Sequence, residues 1–174
     1  MSRQPPAVDD PGAALVALYD VALPHVYGYL LARCGGAALA EDLTAENFLA
    51  AVDAIAQMDP PVLSVAWFLG VARHKLVDHW RRQGRDDRSM RTLVDERPPP
   101  EDPWDVHLDM VRARETLQRL GPHHRAALTL RYLDDLPVAR VAALLERTVH
   151  ATEALLVRAR LAFRRAYGEV ACDG

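Results

Sequence analysis

Long hydrophobic runs are missing from this 174-residue chain, although half of its residues are apolar. No uninterrupted apolar stretch approaches the roughly 18 residues of a membrane span, so membrane insertion is not expected. The opening residues, MSRQPPAVDDPGAAL, lack a basic start followed by an apolar block, so no secretory leader is expected either. Cysteine is scarce: Cys34 and Cys172 cannot make a disulfide framework or a four-cysteine zinc site. Aromatic residues make up 6% of the chain, and Lys75 is its only lysine. These absences argue against a membrane protein, a secreted disulfide scaffold and a collagen-like chain. A quarter of the residues are charged, as in ordinary globular domains, and the expected compartment is the cytoplasm.

The formal net charge of −3 hides a segmental pattern. Residues 1–65 are acidic, with eight acids against two bases. Residues 66–85 reverse this, with five bases and one acid. Residues 86–105 are acidic again, with seven acids and three bases. A short basic stripe between acidic stretches fits local phosphate contact, with other surfaces left for other partners.

Apolar spacing predicts helices throughout. Leu15, Leu18, Tyr19, Ala22, Val26, Tyr29 and Leu30 recur at three- and four-residue steps over 12–34. Pro24 should kink that helix or open a second one, and Gly35-Gly36 follow its end. A second helix is expected over 38–57, stopped by Asp59-Pro60-Pro61. Ser64 can cap a third, from Val65 to about Gln83. Residues 84–105 hold four prolines and many charges, a composition that cannot build a core.

Beyond this break come helices over 106–120 and 122–133, a turn at 134–137, and a short helix to Leu145. The turn Glu146-Arg147-Thr148-Val149 leads to a last helix from His150 to about Tyr167. Short helix, tight turn and arginine-bearing helix form a helix-turn-helix layout. No stretch alternates cleanly enough to be a strand. The expected class is therefore all-α: two small helical domains, joined by an acidic, proline-rich linker, the second containing the helix-turn-helix.

Three groups of residues carry possible chemistry, each with a plainer reading. The last helix places His150, Glu153, Leu155 and Arg158 on one face and Thr152, Leu156, Ala159 and Phe163 on another. Its first face can read bases while arginines hold phosphates; the plainer reading is a solvated basic face. The third helix interleaves Arg73, Lys75, Arg81 and Arg82 with His74, His79 and Trp80. Cations with flat rings suit single-stranded nucleic acid; the plainer reading is a solvated face over buried tryptophans. His74 and Asp78, at i and i+4, are too few ligands for a metal, so none is expected. Nucleophile elbows, phosphate loops and paired-histidine metal motifs are lacking, so the chain reads as a non-enzyme that uses no cofactor.

Three segments in order resemble one family. LAEDLTAENFLAAVDAI, WFLGVARHKLVDHWRR and LQRLGPHHRAALTLRYLDDLPVARVAALLERTVHATEALLVRARLAFR are similar to motifs of the extracytoplasmic-function (ECF) sigma factors of bacterial RNA polymerase, the two-domain type. The likeness runs from Tyr19 to Tyr167. It implies an N-terminal domain over 12–85, a linker over 86–105 and a C-terminal helix-turn-helix domain over 106–170. Asp42, Glu46, Asn47 and Phe48 would then bind core polymerase. Trp67, Arg73, His74, Lys75, Asp78, Trp80, Arg81 and Arg82 would bind the minus-ten element and its melted strand. His150, Ala151, Thr152, Glu153, Leu155 and Arg158 would enter the major groove at the minus-35 element.

The resemblance implies core RNA polymerase and promoter DNA as partners, and an anti-sigma factor as well. It also implies that the linker threads a polymerase channel, where its acids and Pro98-Pro99-Pro100 would imitate nucleic acid. The chain departs from the family pattern at Ala45, His74, Glu146, Glu153 and Leu155. At 146 the family usually has Gly, which tolerates positive φ. The expected function is an alternative sigma factor that recruits core polymerase to promoters and helps melt them. The alternative is a sigma-like helical interaction protein that binds a regulatory partner without driving transcription.

Overall fold

The computed structural model describes the backbone of residues 11–88 and 110–172. Segment 89–109, which holds most of the expected linker and with it the expected imitation of nucleic acid, lies outside the described residues. Among the described residues seven α-helices follow one another: α1 (Pro11–Cys34), α2 (Ala37–Ile55), α3 (Val65–Arg88), α4 (Met110–Arg119), α5 (Pro122–Leu128), α6 (Val138–Leu144) and α7 (Val149–Cys172). A five-residue π turn, Thr129–Leu133, prolongs α5. Contacts divide the chain into two compact units, with the boundary between Leu76 and Val77, inside α3.

In the first unit α1 runs unbroken through Pro24. Ala22, Val26, Leu30 and Cys34, four residues apart, form its buried stripe. Gly35, at φ 82°, takes the left-handed conformation just past the last turn, where a side chain would be strained. α2 buries Ala40, Leu43, Thr44, Asn47, Ala51 and Ala54. Its three buried alanines, Ala40, Ala51 and Ala54, let α1 and α2 approach closely and pack together. By length and composition, the helical stretch Gly12–Cys34 could cross a bilayer. The run-by-run reading missed it because Asp20, His25 and Arg33 interrupt the apolar sequence.

Ser64 caps α3: its hydroxyl accepts the Trp67 amide at 3.1 Å, and its carbonyl accepts the Phe68 amide at 3.0 Å. α3 extends five residues past Gln83, to Arg88. Two side-chain ties bind α2 to the start of α3. Asn47 donates its Nδ2 to the Phe68 carbonyl at 2.9 Å. Phe48 packs on Phe68 at 4.9 Å between ring centroids, and Tyr19 of α1 packs on Phe48 at 4.9 Å. Trp67 completes the row, edge-on to Phe68 at 5.2 Å. Phe68 is wholly buried, and its removal would cost about 3–5 kcal/mol.

In the second unit α5 and α7 pack together, with α4 and α6 against α7. Arg125 crosses back to the end of α4, where its Nη2 donates to the carbonyls of Gln118 at 2.6 Å and Leu120 at 3.1 Å. A cation there satisfies carbonyls that the helix leaves unpaired. Arg112 stacks on the Tyr167 ring at 4.2 Å and donates to the Tyr167 carbonyl, tying the start of α4 to the last helix.

α6 ends in a Schellman turn. The Arg147 amide donates to the Ala142 carbonyl at 2.9 Å, and the Glu146 amide to Ala143 at 3.2 Å. Glu146 therefore takes φ 52°, the left-handed conformation. Thr148 then caps α7, its hydroxyl accepting the Ala151 amide at 3.1 Å. A non-glycine residue in that conformation costs about 1 kcal/mol. Glu146→Gly is expected to stabilise the second unit by up to about 0.5 kcal/mol, after the greater entropy of glycine in the unfolded chain is counted. The check is thermal unfolding: a raised melting temperature is expected, and a lowered one would show that the Glu146 side chain outweighs its backbone strain.

Candidate functional site on α2, α3 and α7

α2 offers its candidate residues from two faces. Asp42 and Glu46, one turn apart, are accessible, with Asp42 exposed and Glu46 partly so. Phe48 is half-buried in the aromatic row. Asn47, expected as a contact residue, is fully buried in the free chain. It lies four residues after Leu43 and four before Ala51, both buried, so helical geometry turns it inward. Its Oδ1 has no hydrogen-bond partner among the described residues.

On α3, His74, Asp78 and Arg82 are exposed, while Trp67, Arg73, Lys75 and Arg81 are half-buried. Lys75 pairs with Glu46 of α2 at 3.4 Å. Arg81 pairs with Asp78 one turn earlier at 3.3 Å, and with Glu146 of the same compact unit. Trp80 is 1% exposed, and its indole N–H has no hydrogen-bond partner among the described residues. It belongs to the core with Leu76 and Val77, so it cannot stack on a base where it stands. The i, i+3, i+4 spacing from Leu76 and Val77 was the signal that placed it inside.

On α7, His150 and Glu153 are exposed, and Ala151 and Arg158 are half-buried. Thr152 and Leu155, both expected to contact DNA, are buried in the free chain. Thr152 donates its hydroxyl back to the Thr148 carbonyl at 2.9 Å. Leu155 sits three residues after Thr152 and four before Ala159, both wholly buried. The accessible polar set at the start of α7 is therefore His150 and Glu153, with Arg158 two turns on.

Sequence reasoning passed over His124, which lies within the second unit. Its pKa is lowered from the ordinary 6.5, first by burial, then by the nearby charges of Arg158 and His123. A lowered folded pKa means that the unfolded chain binds the proton more readily. Stability of the second unit is therefore expected to be full above pH 6.5 and to fall as the pH drops toward the folded value. His124→Gln should flatten that part of the profile in denaturant titrations between pH 5 and 7. An equally steep fall in the variant would show that another group is responsible. Among the described residues, no group of three or more His, Cys, Asp or Glu side chains could hold a metal ion.

Two family models match in chain order: Sigma-70 region 2 over residues 18–86, and Sigma-70 region 4 over residues 110–163. The chain is similar to the ECF RNA polymerase sigma factor BldN of Streptomyces coelicolor, 31% identical over 82% of this chain and 56% of that protein. It is 30% identical to the ECF RNA polymerase sigma factor SigL of Mycobacterium tuberculosis, over 82% of each. Among solved structures, the complex of the sigma factor RpoE with the anti-sigma factor NepR from Bartonella quintana shares the fold. Its TM-score is 0.52 at 17% identity, over 87% of this chain and 94% of that one. The chain thus spans just over half the length of the Streptomyces relative.

Proposed function

Because the chain belongs to the ECF RNA polymerase sigma factors, we propose that it is an alternative sigma factor that binds core RNA polymerase, brings it to particular promoters and helps to melt them. One observation carries this reading. The two sigma-family regions stand in order, and in the first an acidic helix is tied directly to the basic helix that follows it. Asp42 and Glu46 form the protein-binding face of α2. Trp67, Arg73, His74, Lys75, Arg81 and Arg82 form the minus-ten surface of α3. His150, Ala151, Glu153 and Arg158 bring the start of α7 to the minus-35 element. Residues 12–85 form the strand-opening domain and 106–170 the duplex-reading domain.

The physical work is differential binding, with no covalent step of the protein's own. Unpairing promoter bases costs a few kcal/mol, offset by phosphate contacts and capture of the freed strand along α3. Helix α7 docks by its first turns in the major groove, as recognition helices do. The protein acts where polymerase and chromosome are, in the cytoplasm. An anti-sigma factor is the regulatory partner that family membership implies.

Run-off transcription with purified core polymerase on a genomic fragment library tests the reading. Initiation from a defined promoter set is expected. Core binding without any transcript would instead favour the sigma-like interaction protein.

Two variants resolve the surfaces. Asp42→Arg is expected to cost about 1–3 kcal/mol of affinity for core polymerase, through like-charge contact, as read by titration with labelled chain. Unchanged affinity would return Asp42 to the role of a solvated acid. The double replacement Arg81→Ala, Arg82→Ala should shorten open-complex lifetime and lower the salt dependence by about 0.7 per lost single-strand phosphate contact. Wild-type lifetime and slope would remove these arginines from the DNA surface.

A further inference from the structure

The only lysine of the chain is held by a carboxylate from the helix beneath it. Lys75 Nζ lies 3.4 Å from Glu46 Oε2. The Lys75 and Glu46 side chains are 34% and 46% exposed, so a phosphate can reach one and a basic protein surface the other. The backbones that carry the pair are held in place. The next residue, Asn47, is anchored to the Phe68 carbonyl, and the one after, Phe48, to the Phe68 ring, so α2 presents Glu46 to α3 at a fixed distance.

We propose that Glu46 gates Lys75. In the free chain the carboxylate occupies the cation that would otherwise take a phosphate of single-stranded DNA. When basic groups of the polymerase engage Glu46, Lys75 is released. This deepens the reading above and rests on it, since it takes α2 as the protein face and α3 as the DNA face.

The chemistry favours lysine for such a gate. A compact ammonium on four methylenes can swing from one anion to another, whereas an arginine fork is committed to a planar partner. A phosphate arriving while Glu46 is still free meets a carboxylate a few ångströms away and is repelled. Coupling of this kind is reciprocal: whatever factor polymerase adds to DNA affinity, DNA adds to polymerase affinity. A half-exposed pair supports a factor of about two to five at low salt, and less as salt screens it.

The test uses the full-length free chain and a fluorescent, mixed-sequence single-stranded DNA 12-mer, read by anisotropy from about 20 to 200 mM salt. Glu46→Gln keeps the shape and removes the charge. It is expected to bind about two- to fivefold more tightly than wild type at the lowest salt, with a salt slope steeper by about 0.7. Asp42→Asn removes the same charge one turn earlier and should give less than half that gain. In a Lys75→Gln background the gain should vanish.

Equal binding by Glu46→Gln and wild type, including no binding by either, would overturn the gate. So would an equal gain from Asp42→Asn, or a gain that persists without Lys75. Glu46→Ala, which keeps a good helix former, carries the same expectation should the glutamine variant fold poorly. Failure of the wild-type chain to assemble with core polymerase would instead overturn the functional reading. That result comes from a separate measurement and leaves the free-chain comparison intact.

Discussion

In the first unit the setting of α3 on α2 turns on one hydrogen bond, from the buried Asn47 amide to the Phe68 carbonyl. A polar side chain with no exposure is costly unless it is paired, and half of this amide is unpaired among the described residues. What the bond secures is the setting of α3 on α2. Around it, Phe48 packs at a tilt against Phe68 and Glu46 reaches Lys75. Three consecutive residues of α2 thus make three different kinds of contact with α3: ionic, hydrogen-bonded and aromatic. The aromatic row carries the contact on to Tyr19 of α1. The protein-facing and DNA-facing helices of the proposed sigma domain are therefore not independent surfaces. They share one packed joint.

The second unit is built on local rules and one exception. Arg125 closes the carbonyl end of α4, Thr148 closes the amide end of α7, and a π turn prolongs α5. Asp135 and Glu146 each take a left-handed conformation after a helical segment, at φ 50° and 52°. Aspartate visits that region more readily than most residues. Glutamate has less reason to, and its carboxylate reaches Arg81. A strained residue whose side chain pairs with a candidate DNA-binding arginine is where the chain departs from the simplest turn.

Much of the architecture was legible in the sequence, because apolar spacing and capping residues act locally. Ser64 before α3, Gly35 after α1 and the Gly121-Pro122 junction before α5 could each be read from residue type. The extra turn of α3 could not, since Asp86, Asp87 and Arg88 are as common in linkers as in helix ends. The accessibility of the candidate surfaces was less legible, and four expected contact residues are buried for one shared reason. Asn47, Trp80, Thr152 and Leu155 were assigned by chemistry or family motif, although each is three or four residues from a buried neighbour. Helical period decides which side of a helix a residue faces, and polarity does not override it when a partner waits inside. The Glu46–Lys75 pair was out of reach for another reason. Its members are 29 positions apart on different helices, and nothing local signals their meeting.

The central claim is that α2 holds α3 through Asn47, and amide hydrogen exchange tests it most directly. Asn47→Ala removes the bond and leaves a small void, a loss of about 2–3 kcal/mol at that joint. The account predicts that amides of the first turns of α3, from Phe68 to Lys75, will exchange about 30- to 150-fold faster in the variant, while α5–α7 keep wild-type protection. Unchanged protection of α3 in the variant would contradict it.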